Sequence, residues 1–172
     1  MCILILALAG GAARADGAVP VSDYVRLHVV AADDGAGAQA LKLRVRDAVL
    51  ERARALLVGC ADADAAWDTV RDSLGALELA ALERARALGY GGGVRCEAGI
   101  FEFPDRRYGD VTVPAGRYRA LRVVIGPGRG HNWWCVLYPS LCYPADYLEG
   151  GHAERYSILL NWLRSLFGGG AA

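Results

Sequence analysis

The chain has 172 residues, 19 basic and 19 acidic, so its formal net charge is zero. That length supports one domain with a real hydrophobic core, and the neutral balance gives no electrostatic pull toward nucleic acid or acidic lipid. Only Lys42 among the basic residues is a lysine, a skew of composition with no chemistry attached to it.

Residues 1–15, MCILILALAGGAARA, read as a short apolar run followed by small residues and an Ala-Arg-Ala cleavage-like site. The segment is too short for a membrane anchor and fits an export signal, although it lacks a basic start. Export would leave Cys60, Cys96, Cys135 and Cys142 in an oxidising compartment, where pairing is the default for at least one couple. The domain is expected over 16–150, with 151–172 forming a C-terminal amphipathic helix and glycine tail.

From Tyr24, YVRLHVVAA alternates, placing Val25, Leu27 and Val29 on one face of a strand and Arg26 and His28 on the other. The turn DDGAGAQ follows, with an N-cap expected at Asp33 or Asp34. Leu41, Val45, Ala48, Val49, Arg52 and Leu56 fall on helical spacing, leaving Lys42, Arg46 and Glu51 off that face, and the helix should end near Gly59. A second helical pattern starts near Asp62 or Asp64 and runs to Leu88. Its stripe is Trp67, Val70, Leu74, Leu77 and Ala81, with Gly75 as a weak point and Gly89 as its stop.

After GYGGG the period changes to two: VRCEAGIFEF and RYRALRVVIG read as strands, joined through PDRRYGDVTVPAG. Beyond Pro144, Tyr156, Leu159, Leu160, Leu163 and Phe167 return to helical spacing, on a helix that packs on its own domain or makes a peripheral membrane contact. The resulting expectation is an α+β single domain with a mostly antiparallel sheet, two central helices and a C-terminal amphipathic helix.

The segment HNWWCVLYPSLCY, residues 131–143, concentrates the candidate chemistry. Cys135 with His131 has the residue types of a thiol nucleophile and its base, but no activating neighbour is visible. Cys135, Cys142 and His131 or His152 have the types of a metal site but not its usual paired short spacing. A disulfide between Cys135 and Cys142 fits the intervening proline turn best, and would stabilise by roughly 2–3 kcal/mol on the chain-entropy model. Trp133 and Trp134 must point to opposite faces of an extended segment, so one can anchor the core while the other reaches the surface; the bland alternative is that both pack. Cys60 and Cys96 pair with each other or stay thiols. GPGRG lacks the Lys-Ser/Thr of a nucleotide loop and reads as a turn. A lone strand histidine such as His28 is more often structural than catalytic.

Three features together resemble the stage II sporulation protein R family: VRLHVVAADD followed by QALKLRVRDAVL; YGDVTVPAGRYRALRVVIGPGRGHNWWCVLYPSLC; and their order, with a helical stretch between and a signal-like start. The resemblance covers about residues 22 to 143, and its most specific part is the Asn-Trp-Trp-Cys-Val block with a second cysteine after it. Departures from the family pattern are Ala31-Ala32-Asp33-Asp34 in place of Ala-Asn-Ser-Asp, Ala38 in place of an acidic residue, and Pro139-Ser140 in place of Pro-Pro.

The resemblance implies a non-enzymatic protein without a cofactor. It would be exported from the forespore into the space between the two sporulation membranes, where it triggers a membrane-embedded aspartic protease that processes the sigma-E precursor. On that reading the partner contacts are Asn132, Trp133 and Trp134, with Arg26 and His28 as weaker candidates on an exposed strand face, while Cys135 and Cys142 hold the geometry. The rival is an exported thiol- or metal-dependent hydrolase using Cys135 with His131 or His28.

Overall fold

Strand β1, Val21–Val30, forms where the alternation of β-branched residues predicts it. The computed structural model describes residues 21–108 and 111–139. The signal-like segment 1–15, Cys142, His152 and the helix expected within 151–172 lie outside the described residues.

Helix α1, Ala36–Leu57, follows. Its N-cap is Gly35, without a side-chain cap, and not Asp33 or Asp34. Both carboxylates are engaged elsewhere: Asp33 Oδ1 accepts from the Gly35 amide at 2.8 Å, and Asp34 reaches across to His131. The buried arc of α1 is Lys42, Val45, Val49, Leu50, Ala53 and Leu57, rotated from the expected stripe. The helix wedges against α3, Leu74–Ala87, as well as the sheet, so its buried arc is set by two partners that the one-faced pattern does not separate. Lys42 joins that arc because its ammonium finds acceptors inside.

The second helical pattern is two helices, α2 (Ala63–Asp72) and α3, broken at Ser73, two residues before the weak point at Gly75. The expected stripe survives the break, with Val70, Leu77 and Ala81 buried and Trp67 and Leu74 packed at the margin. Gly59 and Gly89 end α1 and α3 at φ 87° and 79°, the left-handed backbone that glycine adopts without penalty. Asp62 caps α2, its Oδ1 accepting from the Ala65 amide at 2.8 Å. Asp62→Ala is expected to destabilise the fold by about 1 kcal/mol, read as a lowered denaturant midpoint.

β2, Val94–Phe103, leads through a small hairpin, β3 (Arg106–Tyr108) and β4 (Val111–Val113), to β5, Gly116–Ile125, and β6, Asn132–Tyr138. The main sheet has the order β2-β5-β1-β6. Its outer pairs are antiparallel, but the central pair β1–β5 is parallel, in register from Val25↔Arg119 to Val30↔Val124. The sheet is therefore mixed, a correction to the mostly antiparallel expectation. Alternation reports which face a residue takes, not which way its neighbour strand runs. The parallel pair needs a long crossover, which α1 to α3, β2 and the β3–β4 hairpin supply.

The helices lie on one face. There Val25, Leu27, Val29, Leu121, Val123, Ile125, Cys135 and Leu137 meet Val45, Val49, Leu77 and Ala81 in one cluster. Each fully buried Leu, Ile or Val contributes on the order of 1.5–3 kcal/mol. The opposite face carries a second cluster: Tyr24, Phe103, Val113, Tyr118, Ala120 and Val136, with Phe101 and Trp134 against it.

Candidate functional site

Arg26 and His28 point to that second face, as the period-two reading requires, but the face is not exposed. Arg26 is 0% exposed and His28 8%. The physical reason is aromatic cover. The Arg26 guanidinium lies 4.4 Å from the Phe103 ring centroid and 4.9 Å from that of Tyr118, while its Nε donates to the Cys135 carbonyl at 2.9 Å. A guanidinium is weakly hydrated and planar, so stacking between rings and one directed hydrogen bond suit it inside a protein. His28 stacks on Trp134 with centroids 4.0 Å apart and planes 17° from parallel, and meets Phe103 edge-on. Further along the same face, Glu97 Oε1 accepts from Arg95 Nε at 2.9 Å and Glu97 Oε2 from Arg122 Nε at 3.0 Å. These bonds hold the Glu97 carboxyl below the usual range. Arg122 also covers Phe101 at 4.5 Å.

Trp133 and Trp134 take opposite faces, as expected of adjacent strand residues, yet neither stands free on the surface: both are half-buried. Trp133 packs toward the helices, with Arg46 4.2 Å above its ring. Arg46 is in turn held by Asp47 Oδ1, at 2.9 Å from Nε and 2.6 Å from Nη2. Of the five proposed contact residues only Asn132 is exposed.

Next to Asn132 stands a constellation that the pattern of the sequence does not announce. Asp34 Oδ1 accepts from the His131 backbone amide at 2.6 Å and sits 2.5 Å from the ring Nδ1. Lys42 Nζ donates to the His131 carbonyl at 3.1 Å and to Gln39 Oε1 at 2.6 Å, and Gln39 Nε2 donates to the Asp33 carbonyl at 2.8 Å. His131 is thus held at its amide, its carbonyl and its ring. Lys42, the single lysine, is 5% exposed. Burial and the neighbouring Arg46 push its pKa down, and Asp34 opposes them. The His131 amide, more than its ring, holds the Asp34 carboxylate below its ordinary range.

The GPGRG segment is a turn, as its composition predicts, and it is laid along the loop after β1. The Arg129 and Gly130 amides donate to the Ala32 and Ala31 carbonyls at 3.1 and 3.0 Å. At Gly130 the approach is so close that a Cβ would stand 2.1 Å from the Asp33 carbonyl oxygen. Gly130→Ala is expected to force the two loops apart and cost about 1–3 kcal/mol, read by thermal or denaturant unfolding.

The thiol reading finds little support in this geometry, while the metal reading calls on Cys142 and His152 and so reaches outside the described residues. Cys135 is fully buried in the helix-side core, opposite Leu27 in the ladder, while the His131 ring is 80% exposed and turned to Asp34. Cys60 and Cys96 are free thiols, Cys60 lying 3.5 Å from Thr69 Oγ1 and Cys96 pushed up to about 12 by burial. Among the described residues no three His, Cys, Asp or Glu side chains gather as a metal-binding group.

The fold and this site define a small mixed-sheet α+β domain. It stiffens a polar loop with a buried lysine and fills its second sheet face with aromatic rings and arginines. The chain belongs to the stage II sporulation protein R family, whose family model matches residues 21–147. Stage II sporulation protein R of Bacillus subtilis (strain 168) is 32% identical to it over 126 residues, which cover 73% of this chain and 56% of that relative. The chain thus spans little more than half of that relative's length. No solved structure matches it.

Proposed function

We infer that the protein is an exported, non-enzymatic sporulation signal. It passes from the forespore into the space between the two membranes and activates a membrane-embedded aspartic protease that processes the sigma-E precursor in the mother cell. Family membership supports the process, and the export-like start supports the compartment.

The observation that carries the contact surface is the three-point grip on His131. A surface loop fixed in this way loses little conformational entropy on binding, and rigid presentation is where recognition gains affinity. In this reading Asn132 and His131 meet the partner, while Trp133 and Trp134 brace the strand from its two faces. Arg26 and His28 act from the interior, not as contacts. Cys135, unlike Cys60 and Cys96, carries no free thiol, which supports its pairing with Cys142 as the staple at the far end of β6.

The test is to express the chain in the forespore of B. subtilis cells lacking the related protein and follow processing of the sigma-E precursor. Restored processing is the expected result. Its absence, with the exported protein detected between the membranes, would contradict the reading.

A further inference from the structure

His28 is an ionisable ring in a place that offers little to its charged form. It is 8% exposed, and both ring nitrogens are buried with no partner at hydrogen-bonding geometry. On β1 its neighbour on this face is Arg26; across the ladders stand Arg122 on β5 and Trp134 on β6. Among the described residues of the four sheet strands, the remaining ionisable groups of this face are Tyr118 on β5, Tyr24 on β1, Glu97 on β2 and Arg95 beside it. Tyr24 is pushed up to about 12, chiefly by burial, and Glu97 is already bonded to Arg122 and Arg95. On β6 the Asn132 amide is the group that favours the protonated ring, and it is the exposed residue at the start of that strand.

We propose that His28 is an acid-sensitive element: protonating its ring loosens the Trp134 stack and the β1–β6 pairing behind Asn132, and so turns off the contact surface. The consequence for signalling rests on the function inferred above. A second ring proton would place an imidazolium among Arg26 and Arg122, with the Asn132 side chain favouring it but no acceptor at hydrogen-bonding geometry for either N–H, a buried-charge penalty that opening to water relieves. Attraction between the charged ring and the Trp134 face works the other way but satisfies neither donor. Burial lowers the His28 pKa, with Arg122 adding to it and Asn132 opposing. The folded protein therefore takes up this proton at lower pH than the unfolded chain. The associated stability is complete above the ordinary imidazole value of about 6.5 and is lost as pH falls from there through the folded-state value.

The experiment is an NMR titration of the imidazoles of the full chain, which has three histidines, from about pH 8 to 5, with near-UV circular dichroism recorded in parallel. The expected result is a His28 midpoint below that of an ordinary imidazole, accompanied by loss of the tryptophan near-UV signal. His28→Phe, which keeps a ring on Trp134, should abolish that change, and His131→Gln should retain it. A His28 that titrates at the ordinary value, a near-UV signal that is unmoved when His28 titrates, or a change that persists in His28→Phe would each overturn the proposal. The wild-type titration decides alone if His28→Phe does not fold. No partner enters this measurement, so an error in the inferred function would leave its result intact.

Discussion

Arg26→Ala is expected to destabilise the protein by about 3–5 kcal/mol, more than the loss of a cap, a loop glycine or the proposed Cys135–Cys142 staple. The residue is fully buried, so truncation leaves a cavity against the Phe103 and Tyr118 rings on the second face. It also removes the donor to the Cys135 carbonyl and so loosens β6 at its centre. Arg26→Lys should recover little of the loss. An ammonium has no planar fork to lie between rings and is more strongly hydrated, and its point charge does not reproduce Nε. Equilibrium unfolding in urea checks both variants. A loss below about 1 kcal/mol for Arg26→Ala would mean that the cation is replaceable by water and that the second face is not a core.

Loss of the proposed Cys135–Cys142 staple ranks next. Cys142→Ser is expected to cost roughly 2–3 kcal/mol under oxidising conditions and almost nothing in the presence of reductant, because a short closed loop restricts the unfolded chain only while the bond exists. Cys135→Ser should cost more than Cys142→Ser, since it also sets a hydroxyl into a site that is 0% exposed among Leu27, Leu137 and their neighbours. Unfolding curves of both variants, with and without reductant, provide the comparison. Equal stability of wild type and Cys142→Ser under oxidising conditions would exclude the pairing.

The elements were legible because their periods are clean. Val25, Leu27 and Val29, and Leu121, Val123 and Ile125, sit on the core face where alternation assigns them, and Gly59 and Gly89 close their helices. Three things were hidden for physical reasons. The direction of the β1–β5 pair depends on the crossover, not on either strand's own pattern. Arg26 and His28 look solvent-facing because polar residues usually are; their burial depends on Phe103, Tyr118 and Trp134 arriving from three other strands. Lys42 sits off the predicted stripe. Its burial depends on the His131 carbonyl, 89 positions away, and on Gln39 turning its amide the right way. The one clue in the sequence was that a chain using arginine for nearly all its cations keeps a lysine there. A compact ammonium with rotatable donors suits a carbonyl and an amide oxygen better than a planar fork does.

The same separation explains the fate of the proposed site. Trp133, Trp134 and Cys135 lie on β6 as partly or fully buried side chains, and within residues 131–135 those facing water are His131 and Asn132. The most direct test replaces these two together, His131→Ala with Asn132→Ala, in cells that depend on this chain for processing of the sigma-E precursor. The expected result is wild-type amounts of exported, folded protein and at least a tenfold fall in processing, equivalent to about 1.4 kcal/mol or more of lost partner interaction. Undiminished processing by that double variant would contradict it.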